Sequence, residues 1–199
     1  MILVINLSHR NDRRQHIVRQ FMNMGIDDYF FVEGVNGKKK FPDVKRANLQ
    51  GHFGCLESHK KVLNMFTTLE YEWCIVMEDD CVLDREWTTA ILNDVPSDVE
   101  LVYFGGNKTL SKKPIEPFNE KFDKAIEVYC THAYAIRKAS IPALLNVLNS
   151  RMWKVDVLFT EFQQSHKCLI TRKCYAWQLN SLSDITGVNL QGDKLKYLS

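Results

Sequence analysis

The chain opens on an apolar run at residues 2–7, ILVINL, broken only by Asn6; its length and β-branched content suit a strand buried on both faces of a parallel sheet. A polar turn, SHRNDRR, follows. From Asp12 the apolar positions fall on one helical face, with Ile17, Phe21 and Met24 in register and Gly25 as the stop. YFFVEGVNG (residues 29–37) predicts a second strand closed by a glycine turn, and strand, helix, strand is how an α/β sheet begins. Residues 41–53 read as irregular and polar. A helix over about 54–69 then carries Cys55, His59, Val62, Phe66 and Leu69 along one stripe. WCIVM (73–77) and VELVYFGG (99–106) are further strands, and residues 107–124 form a Lys/Pro-rich connection. AIEVYCTHAYAIRK (125–138) is strand material, helices are expected near 140–148 and from Asp156, and KCLITRKCYAWQL (167–179) reads as one late strand before a polar tail. With no internal repeat or low-complexity segment, the pattern predicts a single α/β domain over residues 1–199, an open and mostly parallel sheet flanked by helices, with an irregular second half.

Composition narrows this little. The 199 residues are 45% hydrophobic and 25% charged, ordinary for a globular chain, and the net charge of +2 selects no partner. Two basic clusters, Lys38 to Lys40 and Lys112 with Lys113, suit a solvated loop or contact with phosphate or nucleic acid. Six cysteines without a CxxC pair, several inside apolar runs, point to a reducing compartment and no structural disulfide. The apolar opening is too short for a signal peptide and no run reaches the length of a membrane span, so the expected location is the cytoplasm, that of a host if the protein is viral.

The chemistry concentrates where WCIVM should end. Glu78, Asp79 and Asp80 stand in a row at the carboxyl end of a buried strand, the place where open α/β sheets bind ligands. Adjacent carboxylates repel one another and resist desolvation, and Mg²⁺ or Mn²⁺ held by Glu78 and Asp80, with Asp79 on the other face, relieves both problems beside a diphosphate. A solvated acidic turn is the alternative. In the first loop Asn6, Leu7, Arg10, Arg13 and Arg14 surround a helix start, where guanidinium groups and free N–H groups suit phosphate; a charged helix face with Asp12 as its cap is the other reading. Ser58 and His59, in GCLESH, and His132, in CTHAYAI, are candidates for touching the donor, the sugar or the metal, or else hydrogen-bonded core residues. Trp153, Trp177 and Tyr134 suit sugar stacking or core packing. Asp156, between Val155 and Val157, is placed for a raised pKa and general-base work, or for capping its helix, with Glu161 in reserve; Lys194 and Lys196 could assist a leaving group or belong to a frayed terminus.

Taken in order, VINLSHRNDRR, GCLESH, VMEDDCVL, THAYAIRKAS, VDVLF and WQLNSLSDI resemble the motifs of glycosyltransferase family 25, the group of lipooligosaccharide and procollagen galactosyltransferases, over nearly the whole chain. That resemblance implies a GT-A type fold, a UDP-sugar donor carrying galactose or glucose, Mn²⁺ or Mg²⁺, and inversion at the anomeric carbon. It implies Asn6, Leu7 and Arg10 at the nucleotide, with Arg14, Ser58 and His59 on the same side. Glu78 and Asp80 would bracket ribose and metal, Gln178 and Ser183 would line the late donor pocket, and Asp156 would be the base, with His132 nearby. Residues 1–106 would form the donor half and 107–199 the acceptor half. Trp177 stands where the family has proline and residues 107–124 do not align, which leaves the acceptor open among a glycan, a hydroxylysine-type side chain and a modified DNA base. A protein of this fold that binds nucleotide-sugar without turnover is the competing reading.

Overall fold

The apolar runs become strands of one seven-stranded sheet. The structure is a computed structural model that describes residues 1–190 except Thr109, Lys112, Thr186 and Val188, with Asn189 and Leu190 described in backbone alone; Lys112, Lys194 and Lys196 of the sequence reading thus lie outside the described residues. Strand β1 (Ile2–Asn6) leads through α1 (Asn11–Met24) to β2 (Tyr29–Glu33), which pairs with it in parallel. Gly25 ends α1 in the left-handed region (φ 65°), where its own N–H and that of Ile26 satisfy the last carbonyls. A short α2 (Gly37–Lys40) and a long α3 (Ala47–Phe66) follow, then β3 (Trp73–Glu78), parallel to β1 on its other side.

Beyond β3 come β4 (Cys81–Leu83), a 3₁₀ turn (Thr89–Asp94), β5 (Leu101–Tyr103), β6 (Phe122–Lys124) and β7 (Ala133–Arg137). Helices α4 (Ile141–Asn149) and α5 (Val155–Gln163) precede β8 (Cys168–Thr171), β9 (Ala176–Gln178), β10 (Ser181–Leu182) and β11 (Asn189–Leu190). The main sheet runs β2-β1-β3-β7-β5-β8-β6; β7 and the edge strand β6 are antiparallel to the rest, while β4 pairs with β9 and β10 with β11 outside it.

Strand alternation feeds two cores. Leu3, Ile5, Cys74, Val76, Tyr103 and Tyr134 pack under α3, α4 and α5. Their neighbours Ile2, Val4, Ile75, Met77, Val102 and Ala135 face Ile17 and Phe21 of α1 and Trp87. Three expectations are corrected. Residues 47–53, expected to be irregular, are the first turns of α3, and Gly51 and Gly54 within it are sites of close backbone approach. The late strand is two strands in different sheets, since after β8 the chain turns so that the N–H groups of Tyr175 and Ala176 bond Phe104 O. The connection over 107–124 contains β6. A Cβ on Gly54 would stand 2.6 Å from the Gly37 nitrogen and from Val35 O, both rigid backbone atoms. Gly54→Ala is therefore expected to cost about 1–3 kcal/mol in urea unfolding, whereas Ala substitution at a merely flexible helical glycine would stabilise.

Candidate active site

Strand β3 ends at Glu78, and Asp79 and Asp80 turn the chain into β4. Pairing of β4 with β9 sets Cys81 opposite Gln178, and Leu179 N–H bonds Asp80 O at 2.7 Å, so a segment a hundred residues later is pinned to the acidic turn. Each carboxylate has its own surroundings. Glu78 follows Val76 onto the α3 face, where its Oε1 accepts from Thr131 Oγ1 at 2.9 Å and lies 3.4 Å from Nε2 of the fully buried His59. The other ring nitrogen of His59 is 3.1 Å from the Tyr134 hydroxyl. Asp79 accepts from Asn6 Nδ2 at 2.8 Å and from Arg13 Nη1 at 2.9 Å. Asp80 lies 3.3 Å from the same Arg13 nitrogen, and its buried Oδ1 has no hydrogen-bond partner among the described residues.

These surroundings separate the three acids electrostatically. Burial opposes the charge on Glu78, but the bonds from His59 and Thr131 and the nearby His132 outweigh it and hold the carboxyl below its usual range. Burial keeps Asp79 above its usual range despite Arg13 and Asn6. Burial, then repulsion from Glu78, pushes Asp80 up to about 7. A carboxyl that is more basic in the folded than in the unfolded chain binds an extra proton between its two pKa values, so its contribution to stability is complete below about 4 and is lost as pH rises through about 7. In chelator, the melting temperature of the wild-type chain is expected to fall across that window relative to Asp80→Asn; parallel curves would contradict it.

Beside the turn is a cavity of about 180 Å³ whose walls include Leu7, Ser58, His59, Glu78, Asp80, Gln178 and Ser183. Five other expected residues are placed elsewhere. Asn6 is buried behind Asp79 and spends its amide there and on Arg10 O. Arg10 pairs with Asp12 and Asp184. Arg14 is exposed and stacks on Phe31, 3.9 Å from the ring centre. His132 is fully buried, with Nε2 donating to Ala176 O at 3.1 Å, where it ties β9 to the start of β7. Asp156 stands outside the cavity wall in the first turn of α5, near His52 and Lys154; burial, with a smaller part from Glu78, raises its pKa. Its Oδ1 accepts from Val157 N–H, while Glu161 is taken by Arg151.

Arg13, grouped with Arg10 and Arg14 beside phosphate in the sequence reading, faces the acidic turn. It is buried, and its guanidinium bridges Asp79, Asp80, Ser181 Oγ and Leu182 O. The signal was present, because Arg13 is one turn ahead of Ile17 and Phe21 on the buried face, whereas Arg14 is rotated away. Asp184 and Lys38 also line the cavity. Of the basic clusters, Lys40 pairs with Glu57 and Lys113 with Glu127. The six cysteines are not joined in disulfides, and among the described residues no helix is long and apolar enough to cross a membrane.

The donor atoms at the turn are carboxylate oxygens, one of them buried and unpartnered, which fits a hard divalent cation at Asp80 and Glu78. The acidic turn at the carboxyl end of β3, facing a cleft, stands where open α/β sheets bind their ligands. The family model described as "Glycosyltransferase family 25 (LPS biosynthesis protein)" matches residues 1–159, and the chain belongs to that family. Procollagen galactosyltransferase 1-A of Xenopus laevis is 27% identical over 170 residues, which are 73% of this chain and 28% of that protein. A glycosyltransferase 25 family member of Drosophila pseudoobscura pseudoobscura is 28% identical over 186 residues, 81% of this chain and 29% of that protein. The chain thus spans under a third of the length of either relative. Among solved structures, a glycosyltransferase involved in glycosylation of the major capsid of PBCV-1 shares the fold, with a TM-score of 0.50 at 10% identity over 85% of this chain and 79% of that one.

Proposed function

We propose that the chain transfers a hexose, with galactose favoured, from a UDP-sugar to the hydroxyl of a glycan or hydroxylysine-type acceptor, with inversion. Family membership and the galactosyltransferase names of its relatives support the class of reaction. The observation that carries the site assignment is the buried, unpartnered Asp80 Oδ1 in the wall of a cavity that Lys38, Gln178 and Ser183 also line. Glu78 and Asp80 would hold Mn²⁺ or Mg²⁺, which would supply positive charge to neutralise the departing diphosphate. Lys38 adds positive charge at the same wall. Arg13 partly offsets the burial that raises the Asp79 pKa, and fixes the turn rather than meeting the nucleotide. Asp156, outside the donor cavity and kept basic by burial, accepts the proton of the attacking hydroxyl. Residues 1–106 are the donor half, completed by residues 178–185 from the acceptor half.

The test is metal-dependent release of UDP from a panel of UDP-hexoses, with UDP binding followed separately by calorimetry. Release from UDP-galactose that chelator stops is the expected result. Asp156→Asn should retain UDP binding and lose about a hundredfold or more in turnover. UDP binding without release, over all donors and acceptors tried, would instead favour a binding protein of this fold.

A further inference from the structure

We infer that the inner wall of this cavity is a second cation site, for a thiophilic ion such as Zn²⁺, built from Cys55, His59 and Glu78, and that occupancy there inhibits transfer. The ligating atoms of these three residues all lie within 4.8 Å of one another. Cys55 and His59 are four residues apart on α3 and so project from one face of the helix. Glu78 Oε1 lies 3.4 Å from His59 Nε2. Zinc ligands at about 2.1 and 2.3 Å in tetrahedral arrangement are separated by roughly 3.5 Å, so small side-chain movements bring the three into coordination.

The supporting contacts are already in place. Tyr134, itself fully buried, holds Nδ1 of His59 and thereby aims Nε2 at Glu78; a metal-bound histidine needs such a partner on its other nitrogen. Thr131 fixes the Glu78 carboxylate at 2.9 Å. Cys55 and Glu78 both line the cavity, so the fourth position of a tetrahedral ion is open to solvent or to a bound anion. Binding forms a sulfur–metal bond, sends the Cys55 thiol proton to solvent, and puts the ion where Nε2 and Oε1 now face each other.

This set differs in kind from the neighbouring one. Asp80 offers only oxygen and suits Mg²⁺ or Mn²⁺; a thiol and an imidazole select a softer ion. Glu78 belongs to both sets. Zinc on the inner wall therefore withdraws a ligand from the hard cation and adds positive charge beside it, and the two ions oppose each other.

The binding half of this inference stands apart from the proposed transferase activity, while the inhibition half rests on it. Cobalt(II) titrated into the full reduced chain is the direct probe. One equivalent should produce a sulfur-to-cobalt charge-transfer band that zinc abolishes. Cys55→Ser should remove the band and weaken zinc binding by at least about tenfold, and His59→Gln should weaken it comparably. Asp80→Asn should leave the band in place. Absence of the band, or its persistence in Cys55→Ser, would overturn the site by assigning the thiolate to another cysteine or to none. In turnover assays, zinc should inhibit the wild type in a way that added Mn²⁺ relieves; zinc that binds with the band but leaves turnover unaltered overturns the inhibitory role. If no donor supports turnover, the cobalt result still decides the site.

Discussion

Asp80→Asn is expected to lose about a hundredfold or more in metal-dependent turnover at pH 8, yet to melt at a higher temperature than the wild type in chelator. The two effects have one cause. Burial and the Glu78 charge make the ionised Asp80 carboxylate unfavourable in the metal-free fold, and this raises its pKa to about 7. At pH 8 the group is ionised all the same, and its charge is a standing cost that asparagine removes at nearly constant shape. The same charge is what a divalent cation needs, and a metal stabilising a leaving group contributes several kcal/mol to the transition state, at about 1.4 kcal/mol per factor of ten. Turnover and melting temperature measured on the same preparation check the pair of signs. Loss of activity together with loss of stability would mean that Asp80 is structural.

Arg13→Leu should damage folding severely. It removes the only cation within ion-pair distance of the buried Asp79 and Asp80 carboxylates among the described residues. Breaking a buried pair by deleting one partner costs about 3–5 kcal/mol, which in a chain of this size lowers the melting temperature by roughly 6–20 °C. The pH dependence identifies the cause. Asp79 is already kept above the usual carboxylate range by burial, and without Arg13 it is protonated at still higher pH, so the variant regains stability relative to wild type as the solution is acidified. Asp79→Asn in the same chain should recover part of the loss at neutral pH. Arg14→Leu is the control: it forfeits an exposed stacking contact on Phe31 and should change stability by about 1 kcal/mol or less. Equal effects of the two substitutions would sink the assignment.

The strands that read most clearly from sequence were β1 and β3, because both are continuous apolar runs buried on both faces. Their ends positioned the acidic turn correctly, since a chain leaving a buried strand has one direction to go. What remained illegible depends on contacts between distant segments. The helix begins at Ala47 rather than near Gly54, and the partners of Gly51 and Gly54, Ile185 and residues 35–37, come from other parts of the chain. Gln178 meets the turn through the β4–β9 register, and no local pattern announces a register. Strand alternation was expected to put Glu78 and Asp80 on one face and Asp79 on the other; the strand stops at Glu78, and Arg13 gathers Asp79 and Asp80 together. The three arginines of the first loop could be ranked only by helical phase, which places Arg13 inside and Arg14 outside. Loop residues 127–132 hide a further surprise, Cys130 in the left-handed region at φ 71°, immediately before the Thr131 that holds Glu78.

The β4–β9 pairing and the grip of Arg13 on Ser181 and Leu182 also have a temporal consequence. The cleft is walled by the first eighty residues and closed by residues 178–185, with most of the sheet's crossovers translated in between. A nascent chain emerging from the ribosome can pair β1 with β2 and β3 early, but it holds the Asp79–Asp80 carboxylates against Arg13 without their final cover until the last segment arrives. Closure of this cleft during synthesis should therefore appear abruptly, once residues 178–185 have cleared the exit tunnel, rather than growing in step with the sheet.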